Sequence, residues 1–254
     1  MTGLTVVVHK DPAVLAEAVA ARLLTRLVDA QAQRGQATVV LTGGTVGIAS
    51  LEAVRRAPAR AAVDWTRVNV WWGDERFVPA DSEDRNDLQA RRALLDHVPL
   101  DPARVHPMPA LDGPDGADVD AAAARYAKEL LVAAAGDHEV PLFDVLLLGM
   151  GPEGHIASIF PESPASHDGR TVVGVHGCPK TPPTRISLGF RAVQEAREVW
   201  VVAAGTEKAT AAAMALGGAG QVQVPAAGAR GRSQTLWLLD EAAAAMLPRG
   251  LRRL

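Results

Sequence analysis

Phe143 to Pro161 reads FDVLLLGMGPEGHIASIFP. Its first half, FDVLLL, is an almost unbroken apolar run, the pattern of a strand buried on both faces at the centre of a parallel sheet. Regular structure then stops, because Gly149, Gly151, Pro152 and Gly154 crowd into the next six residues. Inside that turn His155 follows Glu153 by two positions. Ligands of open parallel sheets bind outside the carboxyl ends of the strands, so a histidine set in a turn at such an end is a candidate for chemistry.

The same alternation runs outward in both directions. LTVVV at residues 4–8 reads as a strand, and DPAVLAEAVAARLLTRLVDA from Asp11 opens with an Asp cap and a proline at the first helical position. Strand ATVVL ends at Leu41, a helix is expected near 47–56, strand VNVWW ends at Trp72, a helix spans about 86–96, and a short strand lies around Val105. An alanine-rich helix at about 119–135 precedes the strand ending at Leu148, and a short helix is expected after His155. REVWVVAAG as a strand, TEKATAAAMAL as a helix, TLWLL as a strand and DEAAAAM as a last helix complete the chain. Strands alternating with helices imply an α/β fold with a mostly parallel sheet covered by helices on both faces. No repeat period is present. The segment ALDGPDGADVD is a connection too short and central to divide the chain, so residues 1–254 are read as one domain.

Composition excludes several classes. The 254 residues are 48% hydrophobic and 22% charged, enough for a sizeable core, and the net charge of −3 is spread without a basic stripe. Nucleic acid and membrane surfaces are therefore not expected partners. The single cysteine, Cys178, forms no internal disulfide and supplies no thiolate-rich metal site. With no signal-peptide pattern in MTGLTVVVHKDP and no apolar run of spanning length, a cytoplasmic location is expected.

Four places at strand ends carry polar chemistry. LTGGTVG, Leu41 to Gly47, either is a plain strand-to-helix turn or seats a phosphate on its backbone N–H groups and the positive end of the following helix. Gly43 and Gly44 would allow close approach, and Thr42 and Thr45 would add hydroxyls; the pattern is neither a P-loop nor GxGxxG. In WWGDERFVPADSEDRN, Arg76 has the fork for a phosphate or sugar hydroxyl and Asp74 can accept from a polyol, the alternative being a solvated ion pair. At the third place, Glu153 beside one ring nitrogen of His155 would fix the tautomer and leave the other nitrogen to take a proton from water. His9, His97 and His167 lack such surroundings. At the fourth, Lys180, Arg185 and Lys208 would complete a cationic rim around an anion.

LTGGTVGIASL, WWGDERFVP, DRNDLQARRALLDHVPL, VHPMPA, FDVLLLGMGPEGHIASIFP, RISLGFRAV and AGTEKA follow one another in this order, and the chain thereby resembles the 6-phosphogluconolactonases over residues 4 to 245. The GHIAS element after LLGMG is the most specific part. The resemblance implies hydrolysis of 6-phospho-D-glucono-1,5-lactone to 6-phosphogluconate in the pentose phosphate pathway, with no metal or organic cofactor. It also implies a Rossmann-like fold shared with glucosamine-6-phosphate deaminase and ribose-5-phosphate isomerase. Carried over by position, His155 is the base, with Glu153 where an aspartate is usual. Thr42, Gly43, Gly44 and Thr45 stand where the family has Ser-Gly-Gly-Ser, and Val46 and Gly47 replace Thr-Pro. Asn86 matches the family's asparagine, here flanked by Arg85 and Asp87. Arg76, Arg185 and Lys208 match positions that meet phosphate or hydroxyls, and Gly189 departs from a usual threonine and has no role. The small-molecule lactone is the expected partner, of a monomer or weak homodimer.

A lactone carbonyl is already an activated ester, so the reaction needs an oriented water, a base and a site for the oxyanion. His155 would take a proton from water attacking C1 and return it to the ring oxygen. Backbone N–H groups of the Gly149–Gly154 turn or the cationic rim would receive the oxyanion, and the sequence leaves both open. Ser158 lacks the G-x-S-x-G elbow of a nucleophile. Two rival functions are a deaminase or isomerase on the same fold, which the deaminase resemblance would mark with FNEP where this chain has SIFP, and a non-catalytic sugar-phosphate regulator, for which no partner domain is evident.

Overall fold

The computed structural model describes residues 3–251. Strand β1 (Gly3–His9) leads into α1 (Pro12–Arg34), whose start is fixed by Asp11 accepting from Val14 N–H at 2.8 Å and by Pro12 at the first turn. Leu15, Val19, Leu23, Leu24 and Leu27 recur at helical spacing and are all buried. Each contributes about 1.5–3 kcal/mol relative to exposure. Gly35, at φ +76°, ends the helix in the left-handed conformation. β2 (Ala37–Leu41), α2 (Thr45–Arg56) and β3 (Val68–Trp72) follow. Next come β4 (Asp74–Arg76), α3 (Asn86–Ala93), α4 (Val119–Ala133), β5 (Val145–Gly149), α5 (Pro164–His167), β6 (Val172–Val175), β7 (Arg185–Leu188), α6 (Phe190–Val193), β8 (Glu198–Ala203), α7 (Ala209–Leu216) and β9 (Gln234–Asp240).

Among the described residues, six strands form one sheet in the order β1-β9-β8-β5-β2-β3, every neighbour parallel. All five residues of β2 and all six of β8 are buried, which requires cover on both faces of the sheet. From β2 the chain steps outward to β3, whereas from β5 it steps the opposite way through β8 and β9. The reversal between β2 and β5 is the switch point at which such sheets open a crevice at their carboxyl ends.

A second sheet, β4-β7-β6, is antiparallel and was not expected from the alternation pattern. Gly73 joins the two. Its N–H donates to Leu41 O at 2.9 Å in the large sheet, and its carbonyl accepts from Leu188 N–H at 2.8 Å in the small one. The strand DER is only three residues long and charged throughout, so nothing apolar announces it.

Three further expectations are corrected. DEAAAAM forms turns in place of a helix: the Asp240 carboxylate takes the N–H groups of Gly205 and Ala243, and Pro248 blocks extension soon after. The short helix after His155 is absent; Ile156 instead forms single bridges to Met150 and Ile159. Val105 makes one parallel bridge to Val70 and does not lengthen into a strand.

Candidate active site

The carboxyl ends of β2, β5 and β8 open onto a cavity of about 310 Å³. Thr42, Gly43, Gly44, Thr45, Asp74, Arg76, Asn86, His155, Arg185 and Lys208 all line it. Of the expected catalytic and binding residues, Glu153 alone is not on its wall; it stands beside the imidazole.

The turn after β2 is shaped by close approach. A Cβ on Gly43 would overlap the Asn86 carboxamide, and Gly44, at φ +81°, caps α2 from the left-handed region. The first N–H groups of α2 therefore open on the cavity, where the helix carries its partial positive charge. Thr42 has another task, because its Oγ1 accepts from Gly149 N–H at 3.2 Å and ties the β2 turn to the β5 turn.

β4 supplies Asp74 and Arg76 on one side and Glu75 on the other, as strand alternation demands. Arg76 Nη1 donates to Asp84 O at 2.7 Å and to Asn86 Oδ1 at 2.6 Å, while its Nε is buried without a protein partner. A half-buried guanidinium on the cavity wall, beside the Gly43 turn, is placed to receive an anion.

Asn86 is placed by a residue that sequence reasoning passed over. Glu75, wholly buried, accepts N–H groups of Arg76 and Asn86 on Oε1 and of Asp87 on Oε2, with Arg85 Nη2 3.8 Å away. It thus caps α3 from outside the helix and fixes Arg76 and Asn86 together. Burial pushes its carboxyl up, to about 7, against the pull of Arg85 and the two helix N–H groups. The signal was present in the alternation of Asp74, Glu75 and Arg76, but its partners lie ten or more residues downstream.

His155 sits in a turn closed by Gly151 N–H on His155 O at 2.9 Å and Gly154 N–H on Gly151 O at 3.0 Å. Gly154 has φ +86°, and a Cβ there would meet Val224 at 2.6 Å. The imidazole stacks on Phe160 with centroids 4.3 Å apart. Glu153 Oε1 lies 3.1 Å from Nδ1, a contact whose geometry falls short of a full hydrogen bond. Burial holds the His155 pKa below its ordinary value; Glu153 and Asp74 oppose that shift and Lys180 reinforces it. The neutral base is therefore the resting form at neutral pH. For Glu153, burial works against ionisation, yet its own backbone N–H, His155 and Lys180 hold the carboxyl below its usual range. Lys208, 18% exposed in its side chain, is lowered by burial and by Lys180, with Glu207 and Glu153 opposing.

Asp74 does not offer its whole carboxylate to a polyol. Its Oδ2 accepts from Ser158 Oγ at 2.7 Å, with Arg185 Nη1 at 4.0 Å. Ser158 is fully buried and committed to that bond, which agrees with its rejection as a nucleophile. Of the two oxyanion sites left open, the Gly149–Gly154 turn is largely spent, since the N–H groups of Gly149, Gly151 and Gly154 already donate within the protein. Among the described residues no cluster of three or more His, Cys, Asp or Glu side chains is placed to hold a metal ion, and no helix is long and apolar enough to cross a membrane.

The family described as glucosamine-6-phosphate isomerases/6-phosphogluconolactonase matches residues 10–237. A 6-phosphogluconolactonase of Streptomyces coelicolor is 61% identical over 248 residues, covering 96% of this chain and 95% of that one. One of Mycobacterium tuberculosis is 52% identical over 243 residues, covering 95% and 97%. The solved 6-phosphogluconolactonase of Trypanosoma brucei superposes with a TM-score of 0.83 at 28% identity, covering 98% of this chain and all of that one. A monomeric glucosamine-6-phosphate deaminase, at 17% identity and a TM-score of 0.76, shares the fold. Matched along nearly its whole length by sequence and by fold, the chain belongs to the glucosamine-6-phosphate isomerase/6-phosphogluconolactonase family.

Proposed function

We propose that the chain hydrolyses 6-phospho-D-glucono-1,5-lactone to 6-phosphogluconate, the second step of the pentose phosphate pathway, with His155 as general base. The observation that carries the reading is a largely buried imidazole in a cavity that also holds the Arg76 guanidinium beside a helix N-terminus. The phosphate is assigned to the Gly43–Thr45 turn and Arg76. At the other end, His155 takes a proton from a water as its oxygen bonds to C1. The C1 carbonyl becomes an oxyanion facing the cations Lys180 and Lys208, now favoured over the occupied turn amides. Collapse breaks the bond from C1 to the ring oxygen, which receives the proton from His155, and the free acid ionises to gluconate. Water is consumed and no group remains on the protein.

The lactone is the only partner this reaction calls for. The reading has the chain work as one domain, a monomer or weak homodimer, in the cytoplasm, with neither nucleic acid nor membrane engaged.

The test is direct. Added to freshly prepared 6-phosphogluconolactone, the protein should release acid far faster than spontaneous opening, and glucosamine 6-phosphate should yield no ammonia. Ammonia release without lactone opening would replace this reading by the deaminase one, and binding of 6-phosphogluconate without either activity would make the chain a sensor.

The phosphate assignment has its own test. Arg76→Ala should raise KM more than it lowers kcat, because an anion seat remote from C1 serves ground and transition states alike. The loss in kcat/KM should correspond to about 1.5–3 kcal/mol, the worth of a hydrogen bond to a charged group. Steady-state kinetics on the phosphorylated lactone decide it: parental kcat/KM would place the phosphate elsewhere.

A further inference from the structure

Arg185 was expected to meet substrate, yet most of its guanidinium is spent on the neighbouring chain. It opens β7, only 5% exposed. Nε donates to Pro182 O at 3.0 Å, and Nη2 reaches Lys180 O and Thr181 O, each at 3.3 Å. Three consecutive carbonyls on one planar fork form a clamp that a lysine, with a single ammonium, does not reproduce. The clamped segment is also tied to itself, with Cys178 N–H on Pro183 O at 2.8 Å and Lys180 N–H on Cys178 Sγ at 3.4 Å. It forms a strap from Cys178 to Pro183 that carries Lys180 over the cavity rim.

The Lys180 ammonium lies 3.4 Å from Glu153 Oε1, the same oxygen that lies 3.1 Å from His155 Nδ1. One carboxylate thus faces two nitrogens. We propose that Arg185 is a positioning residue for the base: it holds the strap so that Lys180 shares Glu153 with His155, and the three-way arrangement keeps the imidazole unprotonated and ready to accept from water. The proposal deepens the lactonase reading and rests on it for the word base, but the arrangement itself is a property of the folded protein.

The groups around the imidazole make the direction definite. Glu153 from its own turn and Asp74 from β4 favour the imidazolium, while Lys180 from the strap disfavours it. Phe160 covers the ring, and Lys208 at the start of α7 acts on Lys180 and Glu153. Removing Lys180 deletes a repelling cation and also leaves Glu153 to His155 alone, so both effects raise the histidine's affinity for a proton. Releasing the strap by breaking the Arg185 clamp should act in the same direction, although the charge at position 185 is retained in Arg185→Lys.

The experiment follows the His155 ring signal by NMR against pH, assigned through its loss in His155→Asn, in the parent, Lys180→Met, Arg185→Lys and the double variant. Lys180→Met should move the midpoint upward by about 0.5–1 unit, the scale of one nearby charge in a partly wet site. Arg185→Lys should move it upward comparably, and the double variant no further, since both act through one contact. Pro183→Gly loosens the strap without altering any charge and should shift the midpoint the same way; it decides the matter if Arg185→Lys does not fold. A midpoint that moves in Lys180→Met but stays at the parental value in the clamp and strap variants would overturn the role of Arg185. An unmoved midpoint in Lys180→Met would overturn the shared carboxylate. A parent without lactonase activity would instead remove the functional reading and leave the titration comparison standing.

Discussion

His155→Asn is expected to fold as the parent does, bind 6-phosphogluconate, and lose kcat by roughly 10²–10⁴, the usual worth of a positioned general base. Asparagine retains similar bulk against Phe160 but has no nitrogen that cycles a proton at neutral pH. In the parent the neutral ring is the active form, so kcat/KM should rise with pH through one ionisation and then level off. Because burial lowers that ionisation, its midpoint should lie below the ordinary histidine value. Glu153→Gln removes a carboxylate that favours the imidazolium, so the midpoint should fall further while kcat drops less than in His155→Asn. Kinetics across pH, with 6-phosphogluconate binding measured in parallel, check all of this. Near-parental kcat in His155→Asn would leave the mechanism without its base.

The large sheet was legible because its information is local. Runs such as ATVVL and FDVLLL are apolar without interruption, and the Asp-Pro start of α1 is a signal confined to two adjacent residues. The small sheet was hidden for the opposite reason. β4 is three charged residues whose strand character comes only from pairing with β7, more than a hundred positions away. The cavity wall was legible for a related reason: in this fold strand ends converge, and polar residues placed just after them are brought together by topology alone. The partners each side chain chooses were not. Arg185 and Arg76 look alike in sequence as cations near strand ends. One spends its fork on the carbonyls of residues 180–182, and the other keeps a buried Nε undonated. Glu75 likewise reads as one more charge in a loop until α3 turns back and places its N-terminus on the carboxylate.

The closeness of that packing makes Gly151→Ala the second large effect. A Cβ built on Gly151 falls well inside contact with Nδ1 and Cε1 of His155 and lies 2.6 Å from Glu153 Oε2. The atoms it meets are the base and its carboxylate. Either the imidazole swings off Phe160 or the turn opens and breaks the Gly151 N–H bond to His155 O, and in both cases the ring nitrogen leaves its place. A misplacement of about 1 Å at a reacting group costs on the order of 10²-fold, so kcat should fall by that factor or more. The phosphate seat lies on the β2 turn and β4 and should be untouched, which keeps 6-phosphogluconate affinity near the parental value. Thermal unfolding should stay close to that of the parent, since the turn lies at the rim of the cavity. The ring signal of His155 should shift along with the loss of activity, tying the effect to the imidazole. Full activity in Gly151→Ala would mean that the turn absorbs a methyl group freely, and a base held so loosely would owe its position to substrate rather than to the fold.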